Sequence, residues 1–371
     1  MSVLLVTNDF PPTVGGIQSY LRDYVNEYIA RCGAEKIVVF ASTPEGNEGT
    51  EAFDAVQPFQ VVRWPRRVML PTPATKRRMQ ELIREHSIDT VWFGAAAPLG
   101  LMGKAAKQAG AKRVVATTHG HEVGWSMLPG ARQALKAIGR HADVITYIST
   151  YTYGRLRPVF GNQPRYVALP SGVDTQYFRP ASPEKRAETR KVLGIGDAPL
   201  GVCASRLVRR KGQDQLIRAL PEIRQQVPGT QLVIVGEGPY RARLESMATE
   251  GVHFTGAVER DMLRDIVAAA DVFAMPARTR FGGLDVEGLG IVYLEAQACG
   301  VPVVAGDSGG APETVAADSG IVVPGRDTDA LIAAVSRLLI DANGLPSGRQ
   351  FVTERFAWQA LGDVLVDVLG S

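Results

Sequence analysis

The sequence predicts an α/β protein of two Rossmann-like domains, whose parallel sheets face each other across a cleft. Three observations support this prediction. Short apolar runs alternate with amphipathic stretches along the 371 residues, the pattern of strand–helix units around parallel sheets. The alternation breaks near residues 169–191 and then starts afresh. A chain of this length also exceeds one typical hydrophobic core, so two or three domains are expected.

The first half of the chain supplies six candidate strands. Each is a run of four or five mainly apolar residues, and helix-like stretches lie between them at 17–30, 75–86 and 99–108. Apolar residues at helical spacing in these stretches predict crossover helices. The candidate strands are residues 3–6, 37–40, 61–64, 90–93, 113–117 and 144–148.

A linker separates the two series. Pro170, Gly172 and Pro180 interrupt the alternation, and a charged run follows at 182–191, a composition typical of a connection between domains. The amphipathic stretch 358–369 could fold back across the first domain. We therefore predict a first domain at 1–171 with 357–371 and a second domain at 172–356. The candidate strands of the second domain are 200–204, 232–235, 252–254, 272–274 and 301–304.

The composition excludes several functional classes. The net charge is only +3, so no overall field marks a nucleic-acid-binding protein. Cys32, Cys203 and Cys299 lack metal-ligand spacing and are expected to be reduced thiols of a cytosolic protein. The first residues resemble no signal peptide, and no apolar window is long enough to span a bilayer. We expect a cytoplasmic protein whose membrane contact, if it has one, is peripheral at the inner face.

The most informative segment runs from Asp285 to Ala296. Glu287 and Glu295 stand eight positions apart, and Gly288 and Gly290 lie between them. Glycines just before a helix let its first N–H groups meet an anion, here those of residues 290–292. One carboxylate could then hold hydroxyls on each side of a bound diphosphate, as a nucleotide-sugar requires. The alternative is an ordinary surface helix with two solvated glutamates.

Three further segments follow strands of the second domain. Arg206 and Lys211 come directly after the first strand, where Arg206 is expected to be held inward and both could meet a diphosphate. The alternative is a solvated basic loop. Gly236 ends another strand, and residues 275–278 end the next but one, where backbone groups of Ala277 and Arg278 could read a nucleotide base. Because carboxyl ends of parallel strands share one edge, these segments are expected to lie close together.

Two segments of the first domain occupy the corresponding positions. Gly15 and Gly16 follow the first strand but form neither a Walker loop nor a dinucleotide fingerprint. They could permit close approach of a substrate or form a plain tight turn. Residues 117–122 follow the fifth strand, and His119 is expected to hydrogen-bond a sugar, with a structural histidine as the alternative. His119, His121 and Glu122 on one loop fit a metal ion poorly without ligands from elsewhere.

Residues 60–80 form a basic segment of six cationic residues and no acid, interleaved with Trp64, Met69 and Leu70. Such a segment can contact an anionic membrane surface. The alternative is a solvated helix and loop.

Taken together, these segments resemble the family 4 glycosyltransferases of the GT-B fold, which transfer a sugar from a nucleotide donor with retention. The likeness covers essentially the whole chain. Residues 8–20, 118–125 and 276–280 look closer still to an actinobacterial branch of this family that mannosylates a monomannosylated phosphatidylinositol. That resemblance implies GDP-mannose as donor, an α-(1→6) bond, and a place in cell-envelope glycolipid synthesis. It implies no further cofactor.

The resemblance also implies roles for individual residues. The phosphate-binding Arg and Lys of the family fall on Arg206 and Lys211. Its first glutamate, on the donor sugar, falls on Glu287, and its second, on the ribose, falls on Glu295. One departure is the stretch 280–285, which looks longer and more glycine-rich than in most relatives. The predicted catalytic residues are His119, Arg206, Lys211 and Glu287, and the predicted donor-binding residues are Gly16, Arg206, Lys211, Gly236, Ala277, Arg278, Glu287, Gly290, Ile291, Val292 and Glu295.

The expected mechanism is attack on the face from which the diphosphate leaves. Arg206 and Lys211 would offset the charge that grows on the leaving phosphate, and the β-phosphate could accept the acceptor's proton. No metal is expected, since no Asp-x-Asp pair lies in a ligand context. Three alternatives stay open: a UDP-sugar transferase with another acceptor, a nicotinamide dehydrogenase, which the missing fingerprint disfavours, and a non-catalytic sugar-nucleotide-binding protein.

Overall fold

The computed structural model describes residues 1–13, 15–44, 49–316, 318–341 and 348–370. The chain divides into two compact units. The first unit comprises Met1–Gly172 and the C-terminal segment that begins at Trp358, and the second comprises Val173–Ala357. The division lies one residue after each of the two predicted boundaries.

The first unit contains a parallel seven-stranded sheet in the order β3-β2-β1-β4-β5-β6-β7. All six strands predicted from apolar runs are present. The seventh, at the sheet edge, was missed from sequence, and each of its residues is half-buried or exposed. The strands are β1 Val3–Thr7, β2 Ile37–Ser42, β3 Gln60–Trp64, β4 Thr90–Phe93, β5 Arg113–Thr117, β6 Val144–Tyr147 and β7 Arg165–Ala168.

Helices connect these strands as parallel pairing requires. The predicted stretch 99–108 forms a short 3₁₀ turn, Leu99–Met102, followed by a helix that begins at Gly103. The helices are α1 Gly16–Cys32, α2 Thr50–Ala55, α3 Pro73–Glu85, α4 Gly103–Gln108, α5 Glu122–Ser126, α6 Pro129–Gly139 and α7 Thr150–Phe160.

The second unit contains a parallel six-stranded sheet in the order β10-β9-β8-β11-β12-β13. The predicted strand 301–304 starts two residues later, because the Val301 N–H caps the preceding helix at Ala296 and Pro302 has no N–H to donate. The edge strand β13 was missed. The strands are β8 Leu200–Ala204, β9 Gln231–Val235, β10 Val252–Gly256, β11 Val272–Met275, β12 Val303–Gly306 and β13 Gly320–Val323.

The helices of the second unit include one short helix, α12, that follows the segment with the two glutamates. In every case the loops after the parallel strands lie at one edge of the sheet, where ligands of such folds bind. The helices are α8 Pro183–Val192, α9 Gln213–Gln226, α10 Arg241–Glu245, α11 Arg260–Ala268, α12 Ile291–Ala298, α13 Thr328–Ile340 and α14 Gly348–Arg355.

The C-terminal helix α15, Trp358–Leu369, returns to the first unit. Its apolar side chains Leu361, Leu365 and Val368 belong to the core on the α1 side of the sheet. The Trp358 ring packs edge-on against Tyr24 of α1, with 4.9 Å between ring centroids. Helix α15 therefore packs against α1 as part of the first unit. Among the described residues, no helix is both long enough and apolar enough to cross a bilayer.

Candidate functional site

Glu287 and Lys211 of the second unit are in direct contact. The Glu287 side chain lies almost wholly out of solvent, and its Oε2 is 2.7 Å from Nζ of Lys211. The Arg210 Nε lies 3.7 Å from the same oxygen. Two residues that the sequence analysis assigned to the sugar and to the phosphate thus form one ion pair. Arg210 was not among the predicted site residues.

The backbone of Glu287 is held by the loop after β12. Its N–H donates to Ser308 Oγ at 3.1 Å, and its carbonyl accepts from the Gly310 N–H at 2.9 Å. Gly309 has a φ of 57°, and a Cβ there would lie 2.0 Å from the Glu287 carbonyl oxygen. This clamp was missed from sequence, although a Ser-Gly-Gly run at the carboxyl end of a strand was the signal that could have found it.

The segment after Glu287 turns into α12 at Gly290. Gly290 adopts a φ of 92° as the residue before the helix, and a Cβ there would lie 2.5 Å from the Tyr293 ring. The ring is fixed, because Tyr293 is fully buried and its hydroxyl donates to the Met275 carbonyl. Ile291 and Val292 open the helix, as predicted, so their N–H groups lack intrahelical acceptors and carry the positive end of the helix dipole.

Glu295 lies one turn into α12 and is partly exposed. Burial raises the pKa of Glu295 to about 7, although the positive charge of Arg260 acts in the opposite direction. The carboxyl therefore changes charge in the physiological pH range. A group of this kind in a ligand-binding edge is a candidate for hydrogen bonding to a ligand hydroxyl.

Arg206 does not point inward as expected. Its side chain is exposed. Its own carbonyl accepts a hydrogen bond from Gln213 Nε2 at 3.2 Å, which fixes the backbone of the loop. The guanidinium is therefore available to an anionic ligand, whereas Lys211, on the same loop, is buried against Glu287.

Gly236 is required by a close approach of two backbones. Its φ is 124°, and a Cβ there would lie 2.3 Å from the Ser205 carbonyl oxygen. A Cβ at Gly238 would likewise lie 2.3 Å from the Leu207 carbonyl oxygen. The glycine loop after β9 thus supports the loop that carries Arg206. Its direct contact with a donor stays a prediction.

Ala277 and Arg278 have few groups left for a nucleotide base. The Ala277 N–H donates to the Met275 carbonyl at 2.7 Å, and the Arg278 N–H donates to the Arg210 carbonyl at 2.8 Å. The Arg278 guanidinium donates to both carboxylate oxygens of Asp214, at 2.8 and 2.9 Å. Base recognition through their N–H groups is therefore not supported. The hydrogen bond from the Arg278 N–H to the Arg210 carbonyl instead connects this strand end with the Arg210–Lys211 turn.

The glycine-rich stretch 280–285 is a small closed hairpin. The backbones of Arg280 and Asp285 pair across it, with the Arg280 N–H donating to the Asp285 carbonyl at 2.9 Å. The Asp285 carboxylate lies 3.5 Å from Arg210 and 3.3 Å from Arg280. This charge network positions the chain immediately before Glu287.

In the first unit, His119 follows β5 and is held in one orientation. Its Nε2 lies 2.6 Å from the Gly94 carbonyl, and its ring packs edge-on against Tyr20. A carbonyl only accepts hydrogen bonds, so Nε2 carries the proton and Nδ1 is left as an acceptor. Burial lowers the pKa of His119, and the nearby Glu122 only partly offsets this, so the imidazole is neutral at pH 7.

Glu122 and Asp9 flank His119 and have different roles. Glu122 is fully buried, and its Oε2 accepts hydrogen bonds from the N–H groups of His119 at 3.0 Å and Gly120 at 3.1 Å. It is committed to holding the loop. Asp9 was missed from sequence. Burial raises the pKa of its carboxyl, and the nearby His119 and His121 act in the opposite direction.

Gly16 is the first residue of α1, and a Cβ added there would meet no described atom within 4 Å. No neighbouring protein group therefore requires a glycine at this position. Contact of Gly16 with a donor diphosphate stays a prediction. Among the residues that the structure describes, no group of three or more His, Cys, Asp or Glu side chains could hold a metal ion.

The basic segment 60–80 is less basic than its sequence indicates. Arg63 is paired with Asp54 at 2.7 Å, and Arg78 bridges Glu81 and Glu85 at 3.2 and 3.1 Å. Arg66, Arg67 and Arg77 are exposed. The acids that neutralise Arg63 and Arg78 lie outside the segment, which explains why counting within it overestimated its charge.

Comparison with known families and proteins covers both units. Residues 14–177 match the family described as Glycosyltransferase Family 4, and residues 198–341 match Glycosyl transferases group 1. The chain is 55% identical, over 99% of its length and 97% of the relative, to the GDP-mannose-dependent monoacylated alpha-(1-6)-phosphatidylinositol monomannoside mannosyltransferase of Corynebacterium glutamicum. It is 52% identical, over 99% of its length and 97% of the relative, to the GDP-mannose-dependent alpha-(1-6)-phosphatidylinositol monomannoside mannosyltransferase of Mycobacterium tuberculosis H37Rv.

Solved structures show the same fold at low identity. Sucrose-phosphate synthase from Thermosynechococcus elongatus superposes with a TM-score of 0.79 at 22% identity, covering 99% of this chain and 98% of that chain. Anabaena Alr3699/HepE superposes with a TM-score of 0.79 at 20% identity, covering 100% of this chain and 99% of that chain. These likenesses concern the fold alone.

Proposed function

The chain belongs to glycosyltransferase family 4, and from that premise we propose that it transfers mannose from GDP-mannose to phosphatidylinositol monomannoside, forming an α-(1→6) bond with retention. The observation that carries the proposal is the pairing of Lys211 with Glu287 just before α12. This pairing sets a cation and a sugar-binding carboxylate side by side at a helix start suited to phosphate. Full-length relatives with this activity, at 52–55% identity, support it.

The donor lies against the second unit. The N–H groups of Ile291 and Val292 meet the diphosphate, and Arg206 and Lys211 bind it from the other side. Glu287 accepts hydrogen bonds from the mannose hydroxyls, and Glu295 does the same for the ribose. Because Lys211 contacts Glu287, a bound diphosphate shares this cation with the carboxylate.

The bond that breaks joins the anomeric carbon of mannose to the β-phosphate oxygen. The acceptor hydroxyl attacks on the face from which GDP departs, and its proton passes to the departing phosphate. Fixed cations and N–H groups stabilise the charge that grows there, which is most effective where water is excluded. His119 is neutral, and its Nδ1 accepts a hydrogen bond from a hydroxyl of the transferred sugar. We assign the nearby Asp9 carboxylate to the acceptor substrate.

A donor and acceptor panel tests this function. Purified protein with GDP-mannose and phosphatidylinositol monomannoside is expected to yield the dimannoside, and NMR would identify the new linkage as α-(1→6). Transfer from UDP-sugars in place of GDP-mannose would favour the alternative transferase. Saturable GDP-mannose binding without transfer to any acceptor would favour a non-catalytic binding protein.

Chelation tests how charge on the leaving group is stabilised. Since we assign this role to Arg206, Lys211 and the α12 N–H groups, activity should be unchanged after EDTA treatment. Loss of activity with EDTA and its recovery with Mg²⁺ would contradict the assignment.

The pH dependence of donor affinity tests Glu295. A carboxyl with a pKa of about 7 is mostly protonated at pH 6 and mostly ionised at pH 8, and only the ionised form accepts hydrogen bonds from both ribose hydroxyls. GDP-mannose should therefore bind up to about tenfold more tightly at pH 8 than at pH 6. Its phosphates stay fully charged over this range. Calorimetry on Glu295→Gln provides the control, since equal pH dependence in the variant would remove Glu295 from the ribose site.

Peripheral membrane contact belongs to the same proposal. Arg66 and Arg67 directly precede Val68 and Leu70 in the chain, and the side chains of Val68 and Leu70 are both about half exposed. Cationic residues next to apolar ones suit the interface of an anionic bilayer, where each basic residue contributes about 1 kcal/mol. This surface supports access to a lipid acceptor. Sedimentation with anionic liposomes should be weakened by salt, and salt-insensitive or absent binding would discard this contact.

A further inference from the structure

A cationic groove lies on the first unit among α5, α6 and α7, apart from every residue assigned above. Its volume is about 510 Å³, and its lining includes Arg132 and Lys136 of α6 and Arg155 of α7. Ser126 and Gln133 add a hydroxyl and an amide. Among the described residues, no carboxylate lines the groove. Three positive charges thus line one groove, and the other described lining residues are neutral.

The orientation of two of these cations suits an oxygen-rich anion. The Arg155 guanidinium lies over the Tyr151 ring, 5.6 Å from its centroid. Within the part of the chain that the structure describes, Arg132 has one protein acceptor, the Ser126 carbonyl at 3.5 Å, which is a marginal hydrogen bond. Among the described residues, most N–H donors of the Arg132 and Arg155 guanidinium groups therefore have no protein acceptor and can bind phosphate oxygens. The planar geometry of a guanidinium is well matched to them.

The rim of the groove is apolar and exposed. Met127 lines it with a relative exposure of 45%, and the adjacent Leu128 is 57% exposed. Large apolar side chains in water are unfavourable, and their position beside a cationic pocket matches a lipid: headgroup phosphate below and acyl-chain boundary at the rim. A soluble phosphate ester would leave the rim unused.

We propose that this groove binds the headgroup of an anionic phospholipid and docks the first unit on the bilayer. Helix α5 connects the groove with the His119 loop. Glu122 at the start of α5 holds the N–H groups of His119 and Gly120, and Ser126 at its end lines the groove. Five helical residues span roughly 7.5 Å, so a headgroup bound here sits within one short helix of the loop assigned to the sugar.

The test is vesicle binding by a charge-neutralised protein. The groove variant carries Arg132→Gln, Lys136→Gln and Arg155→Gln, and a matched control carries Lys104→Gln, Arg140→Gln and Lys191→Gln, three exposed cations outside the groove. On phosphatidylcholine vesicles containing phosphatidylinositol, the groove variant should bind about a hundredfold more weakly, the combined electrostatic contribution of three basic residues. The control should bind within a few-fold of wild type. Equal losses in both variants, or no loss in the groove variant, would overturn the proposal.

Two further experiments distinguish a lipid headgroup from a free phosphate as the ligand of the groove. Inositol 1-phosphate in solution should bind much more weakly than the vesicles, and Met127→Ser with Leu128→Ser should weaken vesicle binding alone. If inositol 1-phosphate or inorganic phosphate fills the groove as tightly as the vesicles do, the site serves a free phosphate and the lipid assignment is wrong. All arms are run without donor, so their outcome is independent of the transferase assignment. Wild-type circular dichroism and an unchanged midpoint of thermal unfolding confirm that the variants are folded.

Discussion

Replacing Lys211 by Ala should lower kcat/KM for mannosyl transfer on the order of a hundredfold, the usual effect of removing one preorganised electrostatic donor. In the proposed mechanism Lys211, the buried cation in contact with Glu287, stabilises charge on the leaving phosphate, and its loss removes that stabilisation. It also removes the closer of the two cations beside the Glu287 carboxylate and leaves Arg210 at 3.7 Å. Most of the effect should appear in kcat, because the growing charge exists chiefly in the transition state. Steady-state kinetics with GDP-mannose measure it.

The matched control is Arg209→Ala on the same turn. Arg209 is a neighbouring cation, but it lies over the Tyr240 ring, 5.3 Å from its centroid, and is exposed. Its removal changes the net charge by the same amount and should leave kcat/KM within a few-fold of wild type. Wild-type turnover in Lys211→Ala would exclude Lys211 from the mechanism. Similar losses in both variants would indicate a general effect of charge.

Replacing Gly309 by Ala should disrupt the position of Glu287. A Cβ at Gly309 would lie 2.0 Å from the Glu287 carbonyl oxygen, so the carbonyl must move by an ångström or more. A displacement of that size at a substrate-binding residue costs about a hundredfold in rate. We therefore expect Gly309→Ala to lower kcat/KM by about that factor and to lower the midpoint of thermal unfolding.

Gly282→Ala provides the control for backbone strain. Gly282 has a φ of 61°, close to the 57° of Gly309, so alanine suffers the same left-handed strain at both positions. No described atom lies within 4 Å of a Cβ at Gly282, which removes the collision. The difference between the two variants thus isolates the contact with Glu287. Equal activities would show that the clamp does not set the position of this carboxylate.

The fold was largely predictable because buried parallel strands leave a strong local signal. Strands such as β1 and β8 are wholly buried and read as continuous apolar runs. The two strands that were missed, β7 and β13, are edge strands and only partly buried. The other two edge strands, β3 and β10, are also only partly buried but were predicted, so an edge position weakens the sequence signal without removing it.

The sequence allowed candidate site residues to be proposed one at a time, but it did not predict the contacts between them. The glycine before α12 and the order of the two glutamates follow from local rules for helix starts. The contact between Lys211 and Glu287 joins positions 76 residues apart, and no spacing rule reaches that far. Arg206 was expected to point inward because it follows a buried strand, but its side chain is exposed, and the direction of a loop side chain is not set by the strand before it.

The return of α15 to the first unit affects how the protein folds during synthesis. The second unit is continuous in the chain, so all of its strands have left the ribosome before α15 is made. The first unit begins earlier but waits for Leu361, Leu365 and Val368, which complete its core. The later-encoded unit can thus reach its native state before the earlier one, the reverse of the usual N-terminal-first order of domain folding. Until then, the apolar α1 face that α15 covers is exposed, and transiently exposed apolar surface is prone to aggregation.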